Sequence, residues 1–253
     1  MGKLLDRYIH QRVLARWRQA AQDASATKTL QLRKQRDEAR KLRFHLDSLI
    51  SQADNRLRWP SVGSEQFPKP LGTDWSWRPD LWRRPLPRRG VASAPRKAEL
   101  DGQVTLFHDC ALCEIAARQI RNTKDKDLAP FGLSTEVFAF SGSFLSVSVE
   151  LPPEATRNLT KEHLFRVDLS LRTEREISAM TRLNIQHGPN TDQVLRGLER
   201  CDTSHAIDFD LAHLPLNEQR IQKVWLDVIF DRPSMNSVVL HDLTFCRHHR
   251  ADL

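Results

Sequence analysis

The sequence predicts a mainly β protein: an antiparallel, jelly-roll-like β-sandwich preceded by an N-terminal α-helical hairpin. Three observations predict it. Residues 101–253 carry repeated runs in which apolar and polar side chains alternate, the period of a half-buried strand. Residues 1–58 instead repeat apolar side chains every three or four positions, and no glycine occurs between residues 3 and 62. Residues 59–100 hold seven of the 13 prolines, which deny backbone donors and stop regular elements. The expected parts are therefore a basic helical hairpin (1–58), a strap rich in Trp, Pro and Arg (59–100) and the sandwich (101–253).

In the first part, Leu5, Ile9, Val13 and Trp17 fall at four-residue spacing. Asp23, Ser25 and Thr27 mark a break. A second helix is expected from about Thr29 to Leu57, with Leu42, Leu46, Leu49, Ala53 and Leu57 on one stripe. Two helices joined by a short turn suggest an antiparallel hairpin or a partner-binding coiled coil.

The strap, GTDWSWRPDLWRRPLPRRG at residues 72–90, is too apolar for a free linker, since disordered segments are poor in aromatics. Trp59, Phe67, Trp75, Trp77, Leu81 and Trp82 are expected to bury against a folded domain. Arg83, Arg84, Arg88 and Arg89 are expected to stay solvated.

In the third part, SFLSVSVEL places Leu145, Val147 and Val149 inward, and HLFRVDLSL does the same for Phe165, Val167, Leu169 and Leu171. TRLNIQH, HAIDFDL, KVWLDVIF and SVVLHDLTF continue the series, and QVTLFHD and EVFAF precede it. EIAARQIRN fits either a strand or a short helix. About eight strands with one apolar face each need a second sheet to cover them, hence the sandwich.

Charge divides along the chain. The balance is +8 over residues 1–58, +5 over 59–97 and −6 over 98–253, within a net charge of +7. A basic front suits nucleic acid, an anionic membrane surface, an acidic protein or the chain's own acidic half. No apolar run approaches the ~18 residues that span a bilayer, and no signal-peptide core is present, so the cytoplasm is the expected compartment. Four cysteines without a secretion signal read as reduced thiols.

Candidate chemistry lies in four places. His108, Cys110, Cys113 and Cys246 are the metal-ligand candidates, but the knuckle glycine of a zinc ribbon is missing, and neither a metal nor a cofactor is expected. The run HGPNTDQ reads as a loop that offers His187 and Asn190 at a sandwich end. The outward positions of the strands offer Arg182, Asn184, Asp208, Asp210, Trp225 and Asp227, a mixture of planar donors, carboxylates and an indole that suits a sugar. Trp75, Trp77, Trp82, Arg83 and Arg84 form an aromatic and basic group in the strap. There is no glycine-rich phosphate loop, nucleophile elbow or HExxH helix.

Two resemblances add to this. The C-terminal run WLDVIFDRPSMNSVVLHDLTFCR resembles the closing strands of galactose-binding-like jelly rolls, a class that includes many carbohydrate-binding modules. PLGTDWSWRPDLW, VTLFHDC, DLAPFGL, GSFLSV, RLNIQHGPNT and WLDVIF are similar to a domain-of-unknown-function family of Rhodobacter-type alphaproteobacteria. That likeness implies a bacterial protein and brings no activity. The functional reading is a non-catalytic binding protein, with a glycan or other small polar ligand on the sandwich and a protein partner or self-association through 1–58. The alternatives are nucleic-acid binding by residues 1–97 and a purely structural, scaffolding part.

Overall fold

The computed structural model describes residues 2–57, 67–112, 114–123, 127–198 and 204–250. The chain divides into two compact units, Met1–Leu57 and Arg58–Leu253. Trp59 and Cys113 lie outside the described residues, as do the side chains of Leu5, Ile9, Ala53 and Leu57.

The first unit holds helix α1 (Gly2–Gln22), a 3-10 turn at Asp23–Ser25 and helix α2 (Thr29–Leu57). Leu, Arg, Lys, Gln and Ala, all good helix formers, dominate both helices. The turn is fixed locally: Thr27 Oγ1 donates to Asp23 O at 2.8 Å and Gln19 Nε2 to Asp23 Oδ2 at 2.9 Å. Arg16 pairs with Glu38 across it at 3.1 Å. The stripe on α2 is half open to solvent, with Leu42, Leu46 and Leu49 exposed by 39, 47 and 62%.

The second unit is a sandwich of two antiparallel sheets. Sheet A runs β11 (Ser204–Asp210), β8 (His163–Thr173), β13 (Asn236–His249), β6 (Phe131–Val137), β5 (Ile115–Arg121) and β2 (Gly90–Val91). β1 (Thr73–Trp77) also pairs with β13. Sheet B runs β10 (Asn190–Leu198), β9 (Ala179–His187), β12 (Ile221–Asp231), β7 (Phe144–Glu150), β4 (Val104–His108) and β3 (Lys97–Glu99). The alternation predicted in the sequence sets the layers. Leu145, Val147, Val149, Phe165, Val167, Leu183, Ile185, Val224, Leu226, Val228 and Phe230 are all within 1% of complete burial. Register stacks them: Leu226 stands opposite both Val149 and Leu183, and Val147 opposite both Val228 and Leu106. Burying a side chain of this size contributes roughly 1.5–3 kcal/mol, which makes a one-residue slip of register prohibitive.

The strap is more regular than its prolines suggest. It supplies β1, the short helix α3 (Asp80–Arg83), β2 and β3. β13 pairs with β6 only from Asn236 to Leu240, a bulge follows between Leu240 and Asp242, and β1 takes the vacated edge opposite Phe245–His248. Gly132 sits at the point of divergence, where a Cβ would meet Leu240 O at 2.8 Å. Trp75 meets Phe165 edge-on at 6.2 Å, and Trp77 lies 5.6 Å from Phe245. Trp82 is fully buried, and its Nε1 donates to Leu240 O at 3.1 Å. Arg83 and Arg84 both pair with Asp80.

EIAARQIRN, open to either a strand or a short helix, forms strand β5 over Ile115–Arg121, and the readings of two other segments change. EVFAF is not a strand as a whole: β6 ends at Val137 and Phe138 is 52% exposed. HGPNTDQ is not an open loop but a tight hairpin with Asn190 paired to His187, and Gly188 supplies the positive φ of 60° that the turn requires.

Candidate functional site

The outer face of sheet B forms a trough of about 650 Å³. Its shape follows from side-chain size along cross-strand rows. One row runs Arg182, Asp227, Ser148, Thr105, and the next runs Met180, Ile229, Ser146, Phe107, Lys97. At the centre of the trough the middle strands present only the small side chains Ser146, Ser148 and Thr105. Trp225 and Ile229 stand on one flank and Phe107 and Lys97 on the other, so small residues between bulky ones leave a hollow. Phe144, 39% exposed, closes one end. Trp225 and Phe107 are two strands and four residues apart, roughly 16 Å.

The polar groups of the trough are held in place. Asp227 Oδ2 accepts from Arg182 Nε and Nη2 at 3.1 and 2.9 Å and from Asn184 Nδ2 at 2.9 Å. Arg182 keeps about a third of its side chain exposed, while that of Asp227 is 7% exposed. At the far wall Lys223 Nζ pairs with Glu150 at 2.7 Å and lies 5.6 Å from the Trp225 ring centre. Lys97 Nζ lies 6.0 Å from the Phe107 ring centre. Ser146 Oγ and Asn184 Oδ1 are buried at the base of this sheet face and have no hydrogen-bond partner among the described residues. Buried polar atoms are seldom left so, and those that are call for an explanation.

Of the eight ligand candidates from the sequence, the structure brings four together here: Arg182, Asn184, Trp225 and Asp227. The other four are elsewhere. Asp208 and Asp210 stand on β11, in the other sheet. Asp208 is opposite Arg166, and Asp210 pairs with Arg250 at 3.3 Å. His187 is 5% exposed and turns away from solvent: its Nδ1 accepts from Asn217 N at 3.3 Å and its Nε2 binds Asp192 at 2.8 Å. Asn190 is exposed in the hairpin turn. The eight residues therefore do not form one site: Asp208 and Asp210 are in the other sheet, His187 is buried, and Asn190 lies in the hairpin turn. The sequence reading missed Phe107, Ser146, Ser148 and Thr105. The available signal was outward-facing small residues in SFLSVSVEL beside an outward aromatic in QVTLFHD.

The metal candidates do not converge. His108, on sheet B, binds Ala94 O through Nε2 at 3.0 Å. Cys110 is buried and lies 3.6 Å from Ser141 Oγ. Cys246 is on β13 of the other sheet, opposite Ser76 and Arg166. Burial pushes its thiol up to about 11, and Asp168 adds to the shift. Among the described residues no group of three His, Cys, Asp or Glu could hold a metal ion, and no helix is long and apolar enough to cross a membrane.

The match to one family runs from residue 1 to residue 253. The chain belongs to the family of unknown function DUF6478. No curated protein matches it. Among solved structures, it is similar to the enzymatically active domain of tailspike protein 4 of bacteriophage CBA120, with 6% identity and a TM-score of 0.42, over 63% of this chain but only 22% of that one. It is also similar to two carbohydrate-binding modules from Clostridium thermocellum. The family 11 module of a cellulosomal cellulase aligns at 9% identity and a TM-score of 0.38, over 62% of this chain and 96% of that one. The C-terminal family 22 module of a second protein aligns at 11% identity and a TM-score of 0.37, over 60% and 88%.

Proposed function

We propose that Arg58–Leu253 is a non-catalytic glycan-binding unit whose site is the sheet B trough. The observation that carries this reading is the pairing of two aromatic flanks with a floor of hydroxyls and an immobilised guanidinium–carboxylate pair. Aromatic faces cover the C–H surface of a sugar, and planar charged groups take its hydroxyls in bidentate fashion. The separation of Trp225 from Phe107 suits an oligosaccharide, not a single ring. Two of the three cations lining the trough are already engaged, Arg182 by Asp227 and Lys223 by Glu150, which favours a ligand without strong negative charge.

A glycan array on the full chain, followed by calorimetry on the best oligosaccharide, tests the reading. Trp225→Ala and Phe107→Ala are each expected to weaken binding at least tenfold while thermal unfolding stays cooperative. Affinity should hardly change between 50 and 300 mM salt, whereas nucleic acid held by residues 1–97 would be released steeply. Absence of any glycan ligand for the folded chain, or undiminished binding by both variants, would overturn the assignment.

A further inference from the structure

A second cavity, of about 250 Å³, opens at the end of the sandwich where the edge strands β2 and β3 face each other. Its depth is apolar. Leu81, Ala117 and Leu133 are each 1% exposed, Ala98 is 4% exposed and Leu86 8%. The polar side chain on its wall, Gln119, is saturated: Oε1 accepts from Leu86 N, and Nε2 donates to Leu81 O and Arg84 O. It therefore keeps no free donor, and the depth of the cavity is lined by apolar side chains.

The mouth is the opposite. Arg88, Arg89, Lys97 and Arg118 line it together with one carboxylate, Glu99. Arg118 is engaged by Glu136 at 2.9 Å. Arg88, Arg89 and Lys97 make no ion pair with any described residue, so the mouth keeps an excess of positive charge over an apolar floor. A cavity of 150 Å³ lined by aliphatic side chains takes up benzene, so about 250 Å³ accommodates a ring with a short tail or an alkyl chain of roughly eight carbons. We propose that this cavity binds a small anionic amphiphile, a medium-chain or aryl carboxylate, with its tail between the sheets and its carboxylate at Arg88 and Arg89. The site is separate from the trough and does not depend on the glycan reading; Lys97 alone borders both.

Calorimetry and amide chemical shifts with sodium octanoate test it on the full chain, with octan-1-ol and acetate as controls. Octanoate is expected to bind one-to-one, to perturb the amides of Val91, Ala98 and Ala117, and to exceed octan-1-ol at least tenfold in affinity; acetate is expected to leave those amides unmoved. Arg88→Gln with Arg89→Gln should reduce octanoate to the level of octan-1-ol without altering the alcohol, and both substitutions are on exposed side chains that leave the core intact. Leu100→Trp, which fills the mouth from its half-buried rim, should exclude both ligands. The proposal is overturned if octanoate perturbs other amides or none, if the alcohol binds as tightly as the acid, or if the double arginine variant keeps the affinity of the native chain.

Discussion

Asp227 and Asp242 make an instructive pair. Each follows a Trp-Leu or Leu-His step on a long strand, faces away from the core, and is gripped by one arginine through two nitrogens. The difference is what lies above. Arg78, which holds Asp242 at 2.8 and 2.9 Å, comes from the strap 164 positions away, and its side chain is 1% exposed with the Phe67 ring 5.1 Å from its guanidinium. Arg182, which holds Asp227, comes from the neighbouring strand in register and opens onto the trough. The first pair buries its arginine and ties the strap to sheet A, while the Asp242 carboxylate keeps 16% of its side chain exposed; the second leaves its arginine 35% exposed over a carboxylate that is 7% exposed. Burial pushes the Asp242 carboxyl above its ordinary range in spite of Arg78. A covered guanidinium costs desolvation that its carboxylate must offset, so whether the arginine is covered separates a pair that serves the fold from one that a ligand can reach.

The sharpest way to break this comparison is to remove each arginine. Arg78→Met removes a buried guanidinium that ties the strap to sheet A, leaves Asp242 without its counter-charge, and is expected to cost about 3–5 kcal/mol in urea unfolding. Asp242→Leu added to it should recover much of that loss. Arg182→Met removes a partly exposed guanidinium and leaves Asp227 hydrogen-bonded to Asn184, and the expected loss is about 1 kcal/mol or less, against at least a tenfold loss of glycan affinity. Equal destabilisation by Arg78→Met and Arg182→Met would abolish the distinction. The double arginine variant at the second cavity belongs at the small end of the scale, with an unfolding midpoint close to that of the native chain, because it removes exposed charges that hold no partner.

How far such roles can be read from sequence depends on the range of the interaction. The inward sets Phe165-Val167-Leu169-Leu171 and Val224-Leu226-Val228-Phe230 were legible because a strand's period of two is local, and packing needs nothing else to choose a face. Strand β10 was hidden: TDQVLRGL alternates weakly, since as an edge strand it exposes Leu195 and Arg196 and buries little. The strap strand β1 was hidden for a different reason. Its pairing depends on β6 leaving β13 at the Leu240–Asp242 bulge, and that departure is set by Gly132 and by Asn122, whose Nδ2 donates to His241 O at 2.8 Å. Neither residue is near residues 73–77 in the chain. The trough was half legible. Alternation named its outward residues, but only strand order separates Asp227 on one face from Asp208 on the other.

A third aspartate–arginine pair, whose arginine is covered, can be probed with pH through a buried histidine beside it. Asp74 of the strap takes Arg247, which is 5% exposed and also donates to Ala155 O and Arg157 O at 2.9 and 2.8 Å. His163 stands beside them, with Nε2 3.6 Å from Asp74 Oδ2, Nδ1 accepting from Thr160 N at 3.1 Å, and its ring 4.2 Å from that of His249. Burial lowers the His163 pKa most; the charges of His249 and Arg247 add to this, and Asp74 opposes it. For Asp74, burial works against the charged form, but the hydrogen bonds and charge of Arg247, helped by His163, outweigh it and hold the carboxyl below its ordinary range. The sign follows by linkage. A histidine whose folded pKa is depressed is bound by more protons in the unfolded chain, so stability is complete above about pH 6.5 and falls as pH drops towards the folded pKa. Asp74 acts in the same direction, but only below its ordinary value of 3.8. Asp242, with its raised pKa, acts in the opposite direction above 3.8, so the native profile is a difference. Comparison with His163→Asn isolates the histidine, because an asparagine carbonyl can still accept from Thr160 N. Between pH 7.5 and 5.5 the native chain should lose more of its unfolding midpoint than the variant does. Parallel profiles would mean that His163 charges as readily in the folded chain as in the unfolded one.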